Sequence, residues 1–433
     1  SFPTRRSSDL LVVLLFLYIG MRVGGIGVGF AGGAGVIVLS ALGATPGDMP
    51  MLVIVFIMVV IVAIAAMQEA GGIEYLVDFT ERLLRRYPRL LVITAPLSTW
   101  LLTMMASTGQ VSFACMPVIV GVAKENNIKP TRALALSVGA SLLGIVASPI
   151  SAAVIFFSGI LEKGHSGWGY IELIAVSIPS TFLALLVTSV FYLCWDRIRQ
   201  QDRLNDNPVQ VQARTARAIP PCAGRSVLIF IVGLVVVLVY AIVTSPKLGL
   251  IAHPVMSSGQ ARVGVMMGVA LLIVVCCRVN VHKVPSGSVF KTGMTSCICL
   301  LGVAWLGSTF MDSNQQWLQS AVSSHLLDSP MMLAIIIMAA SCFLYSQAVS
   351  TKILFPAALS MGVAPAILVA CFPATASLFI LPNYPTLLAA VELDDTGSTR
   401  LGRHIIDHPF LLPGLASVLL SMLFAAGLAY WIQ

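Results

Sequence analysis

Charge is what this chain has least of. Asp, Glu, Lys and Arg make up 10% of its 433 residues, and only six histidines are present. An ordinary soluble domain carries about 25% charged residues, so a soluble reading is excluded. Enzyme signatures are missing too: there is no Gly-x-Ser-x-Gly elbow, no His-Glu-x-x-His pair and no P-loop. Nothing therefore points to catalytic residues or to ATP-driven transport. Metal-ligand spacing is also absent. The nine cysteines fall mostly inside apolar runs, and Cys276-Cys277 and Cys297-x-Cys299 have no histidine partner, so they read as small packing residues. No metal and no cofactor is expected.

The formal charge is +7. Lys and Arg lie in loops between apolar runs rather than on one basic face, which excludes a nucleic-acid partner and leaves membrane lipid as the surroundings. What is present in quantity is oil: 58% of residues are hydrophobic, with a mean hydropathy of +0.95. At least eight apolar runs approach or exceed the ~20 residues a helix needs to span a bilayer. The fold class expected is an all-α polytopic membrane protein.

Four polar interruptions organise these runs. Ser346-Gln347-Ala348-Val349-Ser350-Thr351-Lys352 stands between the runs 331–343 and 353–363, each too short to cross alone. Ser107-Thr108-Gly109-Gln110 likewise separates 90–105 from 111–123. Ala147-Ser148-Pro149-Ile150-Ser151 breaks 133–158, and Leu381-Pro382-Asn383-Tyr384-Pro385-Thr386 breaks 366–391. Backbone that breaks inside hydrocarbon survives only when buried in protein or lining a wet cavity. Paired Gly/Pro breaks at matching places in two halves point to the binding site of a secondary transporter.

Basic residues set the orientation. Arg82, Arg85, Arg86 and Arg89 precede the segment 90–123, and Lys124, Lys129 and Arg132 follow it. With both ends inside, the segment is a re-entrant hairpin rather than one long span. The arginine-rich stretch 196–225 is read as a cytoplasmic linker, and residues 73–86 as an amphipathic helix on the cytoplasmic interface. Residues 11–195 and 226–433 then form two inverted repeats, each of three spans, a hairpin, a broken span and a last span. Gly24, Gly25, Gly27, Gly29, Gly32, Gly33 and Gly35 let helices approach closely, within the chain or across a dimer. Residues 1–10, SFPTRRSSDL, reverse-translate onto a sequencing-adapter oligonucleotide and are read as an assembly scar.

Helix N-termini at the breaks carry positive partial charge, which suits an anionic substrate. The candidate substrate-binding residues are Ser107, Thr108, Gly109, Gln110, Ser148, Pro149, Ser151, Ser346, Gln347, Ser350, Thr351, Lys352, Asn383, Tyr384 and Thr386. An ammonium within an apolar segment needs a partner or water. Lys352 is read either as a partner for a substrate carboxylate or as a lysine bonded to tip carbonyls or reaching the interface. The prolines beside Tyr384 and Asn383 free carbonyls for a ligand, or merely kink the helix.

These same residues resemble the anaerobic C4-dicarboxylate transporter (Dcu) family, A-type branch. The likeness runs from Gly24-Gly25-Ile26-Gly27 and Ala66-Met67-Gln68 through Leu83-Leu84-Arg85-Arg86, Pro117-Val118-Ile119, Val122-Ala123-Lys124-Glu125 and Ala147-Ser148-Pro149-Ile150-Ser151-Ala152-Ala153. It continues at Gly302-Val303-Ala304-Trp305-Leu306-Gly307, Tyr345-Ser346-Gln347-Ala348, Tyr384-Pro385-Thr386, Asp394-Asp395-Thr396-Gly397 and His408-Pro409-Phe410. The resemblance implies exchange or uptake of aspartate, fumarate, malate and succinate across a bacterial inner membrane under anaerobic conditions. It further implies an ion-transporter-superfamily fold, a scaffold with a moving transport domain, and a homodimer. Ser107 stands where the family has Gly, Leu142 where it has Gln and Ser308 where it has Asp; Lys352 agrees with the A-type branch alone. The expected activity is antiport by alternating access. The alternatives are a symporter coupled to H+ or Na+, an intramembrane enzyme, or a membrane sensor co-regulator.

Overall fold

The computed structural model describes residues 2–23, 26–49, 51–109, 111–164, 167–199, 219–244, 251, 255–322, 330–344, 346–381, 384–394, 396–399 and 408–432. Every regular element among them is helical: α1 (Phe2–Val23), α2 (Gly27–Ala41), α3 (Met51–Glu69), α4 (Gly72–Arg86), α5 (Leu91–Ala106), α6 (Val111–Glu125), α7 (Thr131–Ala147), α8 (Ala152–Lys163) and α9 (Tyr170–Arg199) come first. Then follow α10 (Ala223–Val243), α11 (Ser258–Cys277), α12 (Ser288–Val322), α13 (Pro330–Leu344), α14 (Gln347–Ser360), α15 (Pro365–Cys371), α16 (Pro385–Leu393) and α17 (Leu411–Ile432). A 3-10 stretch, Phe372–Phe379, continues α15. Seven of the described helical stretches are long and apolar enough to cross a membrane. Most of the linker 196–225 lies outside the described residues.

The bend between α3 and α4 is 68°. Gly71 makes it, at φ +82°, a backbone region that only glycine enters freely. Beyond the bend α4 buries Leu76, Val77, Thr80 and Leu84 along one face. Its opposite face pairs Arg82 with Asp78 at 2.7 Å and Arg85 with Glu81 at 3.0 Å. That is the two-faced helix the sequence predicts for 73–86.

Arg85 also pairs with Glu125, the last residue of α6. The end of α6 therefore returns to the place from which α5 sets out six residues after Arg85, as a hairpin requires. Between the two helices the chain turns at Ser107, whose φ is +55°. The second hairpin differs from the sequence reading. Gln347 to Lys352 are not a loop but the opening turns of α14, because Ser346 caps the helix by accepting the Val349 N–H at 3.3 Å. Once capped, this hydroxyl-rich run helps itself stay helical: Ser350 donates back to the Ser346 carbonyl at 2.8 Å and Thr351 to that of Gln347 at 2.7 Å.

Glycines decide how the first helices pack. A Cβ at Gly302 of α12 would lie 1.9 Å from the Gly29 carbonyl oxygen of α2, and one at Gly29 would lie 2.3 Å from the Ile298 oxygen. The two backbones touch, so the glycine-rich stretch serves packing within the chain. Elsewhere α7 is buried along almost its whole length and packs on α5, α9 and the 3-10 stretch. Helix α9 runs against α17, and α3 against α12. Phe157 of α8, Phe355 of α14 and Phe372 form a fully buried cluster with ring centroids 4.6–5.8 Å apart. This cluster fixes the second hairpin against both broken segments. The loop after α16 is also ordered from within: Asp394 accepts from the Thr399 N–H at 2.7 Å and the Ser398 hydroxyl at 2.9 Å.

Candidate functional site

All four interruptions open onto one cavity of about 450 Å³. Its polar wall comes from Ser107, Thr108 and Gly109 at the first tip, Ser346 and Gln347 at the second, and Tyr384 and Thr386 at the second broken segment. Ile150, Ala152 and Ala153 bring in the first broken segment. The rest of the wall is mainly apolar, from α3 (Ile57, Val60, Ile61, Ile64) and α12 (Val289, Gly293, Thr295, Cys299). No Asp, Glu, Lys, Arg or His is among the described lining residues.

The electrostatics come from the backbone instead. Gly109, Ala152, Gln347 and Pro385 all line the cavity, and each stands at or just before the start of a helix: α6, α8, α14 and α16 respectively. The first turn of a helix leaves N–H groups without intrahelical partners, and its end carries roughly half a positive charge. Four such ends around one cavity favour negative charge there.

Cross-connections hold the ends in place. Gln347 donates its side-chain N–H to the Leu142 carbonyl at 2.8 Å, joining the second tip to α7. A Cβ at Gly109 would lie 3.8 Å from both Ile145 of α7 and Thr386 of α16, so the first tip sits between the two broken segments. The Gln347 Oε1 and Thr386 Oγ1 atoms are buried and have no hydrogen-bond partner among the described residues. Both residues border the cavity, where a ligand can supply one.

The other predicted residues divide differently. Ser148, Pro149, Ser151, Ser350, Thr351 and Lys352 are outside the cavity lining. Pro149 offers its carbonyl to the Tyr170 hydroxyl at 2.7 Å, and Ser151 caps α8 by accepting the Val154 N–H at 3.2 Å. Ser148 is fully buried, with its hydroxyl unpartnered. Lys352 is 5% exposed, places its Nζ 5.0 Å from the Phe156 ring centroid, and has no hydrogen-bond partner among the described residues. It lies one turn beyond Ala348, a lining residue. Gln110 and Asn383 lie outside the described residues.

Sequence reasoning missed the apolar wall. Ile57 to Ile64 read as ordinary span residues, and the sequence marks α12 as something more through the hydroxyls of Thr292, Thr295 and Ser296.

Interrupted helices that meet around a buried chamber inside a multi-pass helical body are the construction of a membrane transporter. The crystal structure of the YdaH transporter of Alcanivorax borkumensis has this fold, with a TM-score of 0.57 at 15% identity over 97% of this chain and 98% of that one. So does MtrF of Neisseria gonorrhoeae, from a class of antimetabolite efflux pumps, with a TM-score of 0.51 at 12% identity over 96% and 97%. The chain belongs to the anaerobic C4-dicarboxylate membrane transporter family, whose profile matches residues 7–433. The C4-dicarboxylate transporter DcuA of Escherichia coli K12 is 46% identical over 96% of this chain and 97% of its own length. DcuA of Wolinella succinogenes is 44% identical over 96% of each. The anaerobic C4-dicarboxylate transporter DcuB of Escherichia coli is more distant, at 32% over 96% of each. With seven described helical stretches long and apolar enough to cross a membrane, and bacterial relatives, this is a multi-pass inner-membrane protein.

Proposed function

We propose that the chain is a secondary transporter that exchanges C4-dicarboxylates (aspartate, fumarate, malate and succinate) by alternating access. One observation carries the reading: four helix N-termini border a 450 Å³ cavity with no ionised side chain among its described lining. That volume is within the usual range for a small-molecule site. Two carboxylates a few bonds apart can each face a pair of helix ends while the short carbon chain lies on the Ile57–Ile64 wall. Backbone dipoles are fixed before the ligand arrives, so binding needs little reorganisation.

The same walls define the moving parts. Helices α1–α4 and α10–α12, locked by the Gly29–Gly302 contact, serve as scaffold. The hairpins and broken segments, with α9 and α17, serve as transport unit. The cavity lies where the two meet, so sliding one against the other exposes it to either side. In this reading residues 11–195 and 226–433 are inverted repeats, the linker 196–225 is cytoplasmic, and the exposed apolar faces of α10 and α11 meet lipid or a second copy in a homodimer. In this reading the cycle has no catalytic step.

A cation-coupled symporter is the second reading. It is favoured by the unpartnered neutral oxygens of Gln347 and Thr386, the kind of donor a Na+ ion takes. Uptake of labelled fumarate into proteoliposomes separates the two. Exchange predicts uptake only with internal succinate; uptake driven by an imposed Na+ or H+ gradient into empty vesicles supports the symporter instead. Absence of uptake under both conditions overturns the transport assignment.

A further inference from the structure

Two of the nine cysteines are not scattered. Cys222 stands immediately before α10 and Cys277 ends α11, 55 residues later, and the fold brings them face to face. The Cys222 sulfur lies 3.7 Å from the Cys277 carbonyl oxygen, and the Cys277 sulfur lies 3.6 Å from the Cys222 carbonyl oxygen. Each thiol thus donates to the main-chain carbonyl of the other residue. Both are free thiols. Cys222 is half-buried, open enough for a small reagent, whereas Cys277 is mostly covered behind it. Cys115, Cys297, Cys342 and Cys371 are instead buried in the apolar interior.

We propose that Cys222 and Cys277 are a redox-active dithiol, a modification site that a low-molecular-weight disulfide closes into an intrachain disulfide. The half-buried Cys222 thiolate attacks one sulfur of the reagent, forming a mixed disulfide and expelling one reagent thiolate. The Cys277 thiolate then attacks the Cys222 sulfur and expels the second. The protons of the two cysteine thiols end on the two released thiols, so two cysteines are oxidised while one disulfide is reduced. The bond would tie the start of α10 to the end of α11 beside the α3–α4 bend. Cys222 already touches that bend, with its sulfur 3.8 Å from the Ala70 carbonyl oxygen. Pro220 packs there too, at 2.6 Å from a Cβ placed on Gly71.

The test uses the full chain in proteoliposomes, incubated with oxidised glutathione, blocked with a maleimide, digested without reductant and read by mass spectrometry. The expected product is a peptide pair joined through Cys222 and Cys277, with both free thiols lost in equal amounts and recovered by dithiothreitol. Cys276→Ser should leave the cross-link intact. Cys277→Ser should stop the reaction at glutathionylated Cys222. A cross-link from Cys222 to Cys276 or between two chains, glutathione stably held on Cys222 of the unaltered protein, or no loss of either thiol would each overturn the proposal. Because all these readings come first from the unaltered chain, a variant that fails to fold does not shield the idea.

Discussion

The side-chain amide of Gln347 donates to the main-chain carbonyl of Leu142 at 2.8 Å across 205 residues of sequence. This contact seats the second hairpin on the first broken segment, while Gly109 of the first hairpin lies against Thr386 of the second. Each tip is thereby held by the opposite half of the chain. Gln347→Glu would set a carboxylate against a carbonyl and put negative charge beside a chamber suited to anions. The expected loss is about 2–3 kcal/mol of substrate binding, a rise of roughly 30–160-fold in KM. Labelled fumarate uptake at normal protein level in the membrane checks it, and an unchanged KM would remove Gln347 from the site.

Ser107 turns the first tip at φ +55°, where a residue with a Cβ is strained by about 1–2 kcal/mol. Ser107→Gly should relieve that strain and raise the Tm of the detergent-solubilised protein by a few degrees. The glycine that the family resemblance implies at this position fits the geometry. A lower Tm would mean that the hydroxyl holds the tip.

The α2–α12 crossing offers a paired test. Gly302→Ala drives a methyl into the Gly29 carbonyl, which cannot move aside, and should cost about 1–3 kcal/mol or prevent assembly. Gly33→Ala on α2 meets nothing within 4 Å and should be silent. Thermal unfolding of both variants gives the comparison; equal behaviour would contradict the backbone contact.

Tyr170 is the partner of the Pro149 carbonyl. Tyr170→Phe leaves that buried carbonyl unpaired at the break behind the cavity and should destabilise the protein by about 1–3 kcal/mol. Thermal unfolding checks the loss.

Lys352 links stability to function. A buried lysine amino group over an aromatic ring is a poor use of a core position if only packing matters. Lys352→Met should therefore raise Tm while weakening dicarboxylate affinity at normal insertion. Unchanged transport kinetics would assign the lysine to architecture.

Much of this was readable in advance, for reasons that particular residues show. Helix starts at Ala152 and Pro385 follow from proline and serine placed where hydrocarbon forbids loose backbone. The bent α3–α4 pair follows from Gly71 and the charge pattern behind it. The helical state of Gln347 to Lys352 was hidden because hydroxyls and amides report polarity, not conformation; the Ser346 cap decided it. The apolar wall of α3 and α12 was hidden because isoleucines that face a chamber have the same chemistry as isoleucines that face lipid. The Cys222–Cys277 pair was hidden because it forms across 55 residues and depends on how α10 and α11 lie together.

The account stands on a dicarboxylate occupying the chamber between the helix ends and the α3–α12 wall, and Cys299 on that wall is a reporter of it. Alkylation of Cys299 by a maleimide, followed by mass spectrometry in proteoliposomes, should slow about tenfold with succinate at ten times its Kd. Exposed Cys194 on α9 should react at its usual rate. Alkylation of Cys299 at the same rate with and without succinate, at concentrations that saturate exchange, would contradict the assignment of the cavity.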